Sequence, residues 1–353
     1  MKDLLDFKKE SRKAIHAGFK KIIRETRGAL LSTQHDLDQE DLRGTHFSTL
    51  VPKYYSLLDE RVNELLKATN RIADDFSLAE HLTHKDFLRD QLGVLFWQAP
   101  LHHRALMKPL GYAGDYLMME MLYDDDPFKG PTSYFKMIQA ISCRCISGKF
   151  CQERIPYFLQ KFHFIGSEAV QHHGNFRMMS LACGSSREIQ EFIKSNPVSH
   201  STEVFLVDQD TKAIEHSRHH IEQVKQGAHH KIQTTYYGES LIDLLTNNPL
   251  QRFPRFDLIY SGGLFDYIDD QSFKLAVEVL YSMLREGGAL VLGNISPDDY
   301  SKIIKWYLDD WPLIYRSKQD LLKLVPSGCD SKEIAVEAES TGVNFFLVIK
   351  KPQ

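Results

Sequence analysis

Apolar residues in the first half of the chain recur at helical spacing. Over residues 7–31, Ile15, Phe19, Ile22 and Ile23 are separated by lysines and arginines, the pattern of an amphipathic helix. Residues 50–72 repeat it through Leu57, Leu58, Val62, Leu65, Leu66 and Ile72. Pro52 is expected in the first turn, where its missing N–H is tolerated. A shorter apolar stretch, 87–97, stops before Pro100, and 134–159 reads as mostly helical with a bend at Pro156. Strand signals are nearly absent before residue 165. After it the pattern changes to short apolar runs of strand length: 178–182, 203–208, 231–237, 256–260, 289–295, 333–338 and 344–350. Helical stretches alternate with them at 187–193, 241–247, 271–284 and 300–311, and a further helix is capped at Ser317. Alternation of this kind predicts an α/β fold whose parallel sheet is covered on both faces. The last two runs, joined through Glu339–Gly342, read as a closing hairpin. The chain therefore divides into a helical domain at 1–165 and an α/β domain at 166–353.

Chemistry concentrates where the first of these strands ends. Met178 to Ala182 is followed by Cys183-Gly184-Ser185-Ser186 and then by a helix with Ile189, Phe192 and Ile193 on one side. Ser186 is expected to cap that helix, and Glu188 and Glu191 favour its positive end. A strand, a glycine turn and a helix make a nucleotide-binding edge. A dinucleotide fingerprint needs G-x-G-x-x-G, but only Gly184 is present, and Ser186 stands at the second glycine position. No G-x-x-x-x-G-K-S/T phosphate loop occurs. The turn thus suits a nucleoside without a phosphate chain. The next strand ends in Asp208, placed to accept hydrogen bonds from two ribose hydroxyls. S-adenosylmethionine has these properties.

Ser180-Leu-Ala-Cys-Gly-Ser-Ser-Arg-Glu188 resembles motif I of class I methyltransferases, and Val204-Phe-Leu-Val-Asp208-Gln-Asp210 resembles the acidic motif that follows it. The resemblance covers roughly residues 175–350. It implies a Rossmann-like sheet of seven strands, one of them antiparallel, with S-adenosylmethionine held by Ala182, Cys183, Gly184, Ser185, Asp208 and Gln209. It also places the adenine at the corner Gly238-Glu239-Ser240, where Glu239 or Ser240 would bond the exocyclic amine and Ile242 offer an apolar face. A cap for the following helix is the other reading of Ser240. Ser261-Gly-Gly-Leu-Phe-Asp-Tyr267 resembles motif IV, where the strand end meets the methyl group. Ser261, Gly262 and Gly263 would pass close to the cofactor, Phe265 and Tyr267 would wall the acceptor pocket, and Asp266 would orient a hydroxyl or simply start the next helix.

One stretch of the helical half does not read as packing. Gly111-Tyr-Ala-Gly-Asp-Tyr116 sets two glycines among Tyr112, Asp115 and Tyr116, the composition of a lid over a cofactor and acceptor or of a helix-connecting turn. With the helical N-terminal half and the methyltransferase half, it resembles the bacterial extracellular-factor 3-hydroxypalmitic acid methyl ester biosynthesis proteins. That resemblance implies methyl esterification of a 3-hydroxy fatty acid to make a diffusible, quorum-sensing signal.

Composition narrows the alternatives. The chain has 353 residues, long enough for two domains, and 42% of them are hydrophobic. A net charge of −4 gives no reason to expect nucleic acid as a partner. The first residues are too charged for a signal peptide, and no apolar run approaches the ~18 residues of a membrane span, so a cytoplasmic enzyme is expected. Five cysteines fit reduced thiols. No metal is expected: neither the paired histidines nor Cys143-x-Cys145 has ligand partners at zinc spacing. A G-x-S-x-G elbow is absent. The expected partner is a small-molecule acceptor, and the helical half is a cap or a homodimer surface. A carboxylic acid acceptor is already ionised at neutral pH and needs no base; a hydroxyl or amine acceptor would draw on Asp115, Asp266 or a tyrosine. Two other functions fit the same residues: N-methylation of an amino acid or other small molecule, and a non-catalytic cofactor-binding scaffold.

Overall fold

A computed structural model describes residues 14–227, 232–327 and 333–353. Phe7 and Lys231, the starts of two expected elements, lie outside the described residues. Two compact units are present. The first comprises Met1–Lys149 with Asp299–Pro312, and the second Phe150–Asp298 with Leu313–Gln353. The domain boundary read from the sequence was 165/166.

The first unit holds helices α1 (Ala17–Leu42), α2 (Phe47–Ala73), α3 (Leu78–Phe96), α4 (Pro100–Met107), α5 (Tyr116–Tyr123) and α6 (Ser133–Arg144). The next helix, α7, runs Ile146–His173. Leucine, isoleucine and aromatic residues at three- and four-residue spacing bury one stripe of each long helix: Phe19, Ile23 and Leu30 on α1, Leu58, Leu65 and Leu66 on α2, Leu88, Leu92 and Leu95 on α3. Ile303, Ile304, Tyr307 and Leu308 complete the same core from the returning segment. Three details differ from the pattern reading. Helix α1 begins at Ala17, where the His16 ring accepts from the Phe19 N–H. Pro52 lies beyond the first turn, because α2 starts at Phe47. Helix α3 begins at Leu78, nine residues before the expected 87, fixed there by the reciprocal Ser77–Glu80 capping box.

The second unit is a sheet of β1 (Phe176–Leu181), β2 (Thr202–Val207), β3 (Gln233–Tyr237), β4 (Phe256–Ser261), β5 (Leu284–Ile295), β6 (Ile334–Ala338) and β7 (Asn344–Lys350). Helices α8 (Arg187–Ser195), α9 (Thr211–Gly227), α10 (Leu241–Thr246), α11 (Pro249–Arg252), α12 (Asp270–Ser282) and α14 (Lys318–Leu322) lie between strands; α13 (Lys302–Asp309) belongs to the first unit. Strand order is β3-β2-β1-β4-β5-β7-β6, and β7 alone runs antiparallel to its neighbours. Seven strands with one antiparallel member form the sheet expected from the sequence. Alternate residues feed two cores: Met179, Ile259, Leu290 and Leu292 on one face, Met178, Leu258, Tyr260 and Val291 on the other. Burial on both faces is why these strands read as continuous apolar runs. Strand β5 begins at Leu284, ahead of the expected 289, because Leu284 pairs with Phe256 before a bulge that carries Gly287 at φ +74°.

Order reverses between β1 and β4: β1 leads out to β2 on one side, and β4 lies on the other. Ligands of open α/β sheets bind outside the carboxyl ends of strands at such a switch point. Register aligns Leu181 with Val207, and Val207 with Tyr237. It also pairs Ser180 with Tyr260, and Ser261 with Leu292. The residues that follow, Ala182–Ser186, Asp208, Gly238–Ser240 and Gly262–Gly263, therefore leave the sheet along one edge.

Candidate functional site

The turn after β1 is tightly wound. Ala182, Gly184 and Ser186 have φ of +50°, +53° and +52°, so three of five residues are left-handed. The Cys183 N–H is still tied to the sheet through the Val207 carbonyl at 3.1 Å. Ser186 stands at the start of α8 but does not cap it. Its hydroxyl donates back to the Cys183 carbonyl at 3.3 Å and meets the Ser217 hydroxyl at 2.9 Å, because a left-handed residue turns its side chain away from the helix amides. Ser217 in turn donates to the Gly184 carbonyl at 2.6 Å. The buried Ser185 presents its carbonyl to Gln190 Nε2 at 2.9 Å. Burial, then the Asp208 charge, pushes the Cys183 thiol well up, so it is no nucleophile.

Asp208 is held against this turn. Oδ2 accepts from the Gly184 N–H and Oδ1 from the Asp210 N–H, both at 2.9 Å. The side chain is buried, and burial raises its carboxyl above the usual range against the lowering effect of those two amides. Both of these partners are backbone amides, not cations. Each carboxylate oxygen retains a second lone-pair direction. Gln209 is exposed beside it. Two polar atoms near these strand ends are shut from solvent without a hydrogen-bond partner: Ser261 Oγ, after β4, and Asp210 Oδ2. A buried polar atom left unmade costs stability, so both suit hydroxyl- and amine-bearing ligand groups. The donor set fits a nucleoside with free ribose hydroxyls.

At the β3 corner, Arg252 Nη2 donates to both Glu239 oxygens at 3.0 Å. Ser240 caps α10 in a reciprocal box with Asp243. Ile242 is 73% exposed. Beneath the turn, Tyr260 donates to Glu188 Oε1 at 2.8 Å, and burial raises the glutamate carboxyl.

At the β4 end, close packing explains the glycines. A β-carbon on Gly293 would lie 2.4 Å from the Gly262 carbonyl oxygen and 3.0 Å from that of Ser261. A β-carbon on Gly263 would lie 3.0 Å from Arg154 Nη1. The space over Gly263 thus belongs to an arginine that the motif reading overlooked. Its sequence signal was present: Phe150, Arg154, Phe158 and Phe162 recur every four residues, with one charge on an aromatic stripe. Asp266 is buried and structural, accepting from the Ile295 N–H at 2.7 Å while its own carbonyl accepts from the Ile314 N–H at 2.8 Å. Tyr267 is 44% exposed.

In the first unit, Gly111 and Gly114 take φ of +90° and +77°. Asp115 is buried, caps α5 through the Met118 N–H at 3.0 Å and binds Arg104 Nε at 2.7 Å. Its Oδ2 is enclosed without a hydrogen-bond partner. Tyr112 and Tyr116 are half-buried. The same unit contains a Ser142–His102–Asp309 string, with contacts of 2.8 and 2.7 Å. It is not a hydrolase triad: the Ser142 hydroxyl donates to the Ile138 carbonyl inside α6, and all three residues are buried. Among the described residues no group of three or more His, Cys, Asp or Glu is arranged to hold a metal, and no helix is long and apolar enough to cross a membrane.

No protein-family model matches this chain, and no curated protein matches its sequence. Solved structures resemble its path. One is a possible exported protein from Bordetella parapertussis, at 16% identity over 98% of this chain and 100% of that one, with a TM-score of 0.49. Magnesium protoporphyrin IX methyltransferase from Synechocystis PCC 6803 with bound S-adenosylhomocysteine matches at 10% identity over 76% and 99%, TM-score 0.44. N-methyltransferase NodS from Bradyrhizobium japonicum WM9 in complex with S-adenosylhomocysteine matches at 14% over 67% and 98%, TM-score 0.38. Likenesses this distant transfer no activity to this chain.

Proposed function

We propose that this chain is an S-adenosylmethionine-dependent methyltransferase that converts a carboxylic acid, such as a 3-hydroxy fatty acid, to its methyl ester. The observation that carries the reading is Asp208: a buried carboxylate with a raised pKa, held against a glycine turn at the switch point of a methyltransferase-ordered sheet. Burying a charge without a cation is unfavourable, and two ribose hydroxyls would repay it. The turn Ala182–Ser185 would cradle the amino acid end, Gln209 and the Glu239–Ser240 corner the adenine, and Ser261–Gly263 the methyl-bearing end. When bound, S-adenosylmethionine supplies a methyl group on a sulfonium, which an acceptor oxygen lone pair takes while the C–S electron pair returns to sulfur. The protein's part is to orient the acceptor oxygen and exclude water. Asp266 and Asp115 are committed to backbone and ion-pair contacts, which favours an acceptor that arrives ionised and needs no base. Tyr267 is proposed as a pocket wall.

Calorimetry with S-adenosylmethionine and S-adenosylhomocysteine tests the cofactor, and mass spectrometry of reactions with 3-hydroxy fatty acids tests the acceptor. Both cofactors should bind, and a methylated product should revert to the acid on mild alkaline hydrolysis. A product that survives alkali points to a nitrogen acceptor. Binding without turnover of any acceptor points to a scaffold.

A further inference from the structure

We propose that helix α1 carries a self-complementary face on which a second copy of this chain docks, the two α1 helices running antiparallel. The carrying observation is a segregation of charge along one helix. Residues 17–28 hold Lys20, Lys21, Arg24 and Arg27 against Glu25 alone. Residues 32–42 hold Asp36, Asp38, Glu40 and Asp41 and no lysine or arginine. The first turn has no acid and the last turn no base, so each end of the helix dipole meets charge of its own sign. A helix shaped for the monomer alone gains from the reverse order. Its own neighbours neutralise the pattern only in part. Lys21 meets Glu25 at 3.9 Å, Glu40 meets Arg43 at 3.1 Å, and Asp41 accepts from the Ser133 N–H at 2.9 Å. Burial, then the Asp41 charge, raises the Asp38 carboxyl. Among the described residues Arg24, Arg27 and Asp36 form no ion pair, and Lys53 of α2 reaches Asp36 only through its longer-range field.

These charges lie on the outer side of the helix. Lys21, Arg24, Gly28, Leu31, His35 and Gln39 follow at spacings of three and four, all exposed, opposite the buried Phe19, Ile23, Leu30 and Leu37. Asp36 is exposed beside them. At the centre of this face a β-carbon on Gly28 would meet nothing within 4 Å, and Leu31 is 37% exposed. A glycine inside an exposed helix costs stability, and it lets a second helix approach closely. Arg24 and Asp36 are separated by about 18 Å of helix axis. Two copies of α1 turned end for end about an axis level with residue 30 bring Arg24 of each beside Asp36 of the other, Glu25 beside His35, and Gly28 beside Ser32. Parallel docking would set like charges together. One patch thus serves both sides, which is what a two-fold dimer requires.

Sedimentation velocity of the full-length protein over a concentration series, at low salt and at about 0.5 M salt, tests the proposal. The wild type should be dimeric at low salt and dissociate as screening rises. Arg24→Glu and Asp36→Arg should each weaken the dimer by about 10- to 100-fold, because each sets like charges together at two symmetry-related places. Mixed in equal amounts, the two variants should pair again, since one chain then has only acids at positions 24 and 36 and the other only bases. The double variant Arg24→Glu/Asp36→Arg should dimerise by itself. A wild type that stays monomeric at low salt, a dimer indifferent to both single variants, or mixed variants that stay apart overturns the proposal. If circular dichroism shows a variant unfolded, the wild type decides alone: a dimer that high salt does not weaken also overturns it. None of these outcomes depends on a cofactor or an acceptor, so they leave the methyltransferase reading where it stands.

Discussion

The two units treat buried polar groups differently. In the helical unit several buried polar groups pair with one another, although Asp115 Oδ2 stays unpartnered. His84 accepts the His16 N–H through Nε2 at 2.9 Å and contacts the Glu80 carbonyl through Nδ1 at 2.7 Å, which fixes it as a neutral ring. Lys305 lies on Asp299, and His102 bridges Asp309 and Ser142. In the sheet unit two buried acids, Asp208 after β2 and Glu188 in the first turn of α8, answer to weak donors: Asp208 to two amides, Glu188 to a phenol. The first arrangement favours one rigid packing. The second keeps electrostatic potential in reserve for a ligand, the usual sign of a functional site.

The comparison can be broken in several places. The largest effect expected is on stability. Leu92→Ala in the helical core should destabilise by about 2–5 kcal/mol in chemical denaturation, from lost transfer energy and the cavity left behind. Its S-adenosylhomocysteine affinity should stay near wild type; a parallel loss of affinity would show that the units do not divide the labour as described. Next in size, Asp208→Ala should weaken cofactor binding by about 1.5–3 kcal/mol in calorimetry, through lost charge-assisted hydrogen bonds. Its effect on stability should be the smaller one, because the variant sheds a desolvated charge. Unchanged affinity removes the ribose assignment. Gly293→Ala should cost about 1–3 kcal/mol, since the new methyl group presses on the Gly262 carbonyl, and it should weaken cofactor binding by displacing that strand end.

The smallest effect is the most discriminating. Burial lowers His84 and His81 below their ordinary value of 6.5. Their unfolded forms bind protons first, so the helical unit is stable above about pH 6.5 and loses stability as pH falls through that range. Burial raises Asp208 and Glu188 above 3.8 and 4.5. Their contribution is complete below those values and is lost as pH rises through the raised ones. Hydrogen exchange followed from pH 7.5 to 5 should therefore show the α1–α3 amides losing protection relative to those of β1 and β4. Uniform loss across both units would contradict the contrast. Glu188→Gln keeps an acceptor for Tyr260 and should stabilise the sheet unit at neutral pH, an advantage that shrinks as pH approaches 4.5.

Much of the architecture was legible in the chain. Every expected strand formed within a few residues of its apolar run, since a sheet covered on both faces demands continuous hydrophobic segments. The closing hairpin was readable for the same reason. Boundaries were less so. Ser186 looked like a helix cap because its type is right for one, but its left-handed backbone sends the hydroxyl to Cys183 and Ser217. Pro52 fell outside the first turn because α2 begins five residues before it, at Phe47, ahead of the periodic apolar run. Near the proposed site, the separation of glycine and acid in the sequence pointed to a contact that the structure contains, the Gly184 N–H on Asp208. Arg154 escaped because it stands more than a hundred residues from Gly263, and its partner Asn344 lies in the last strand.

The order of residues alone settled the periodicities, the seven strands and the chemical types at their ends, because those depend on neighbours three or four places away. Which of these ends carries a spare acceptor, and which is already spent, was settled only on folding. Asp208 and Asp266 are both buried aspartates that close a strand or follow one, and sequence treats them alike. Packing made one a brace for β5 and left the other facing the edge of the sheet, because the free energy of a buried carboxylate is set by the donors that surround it in space.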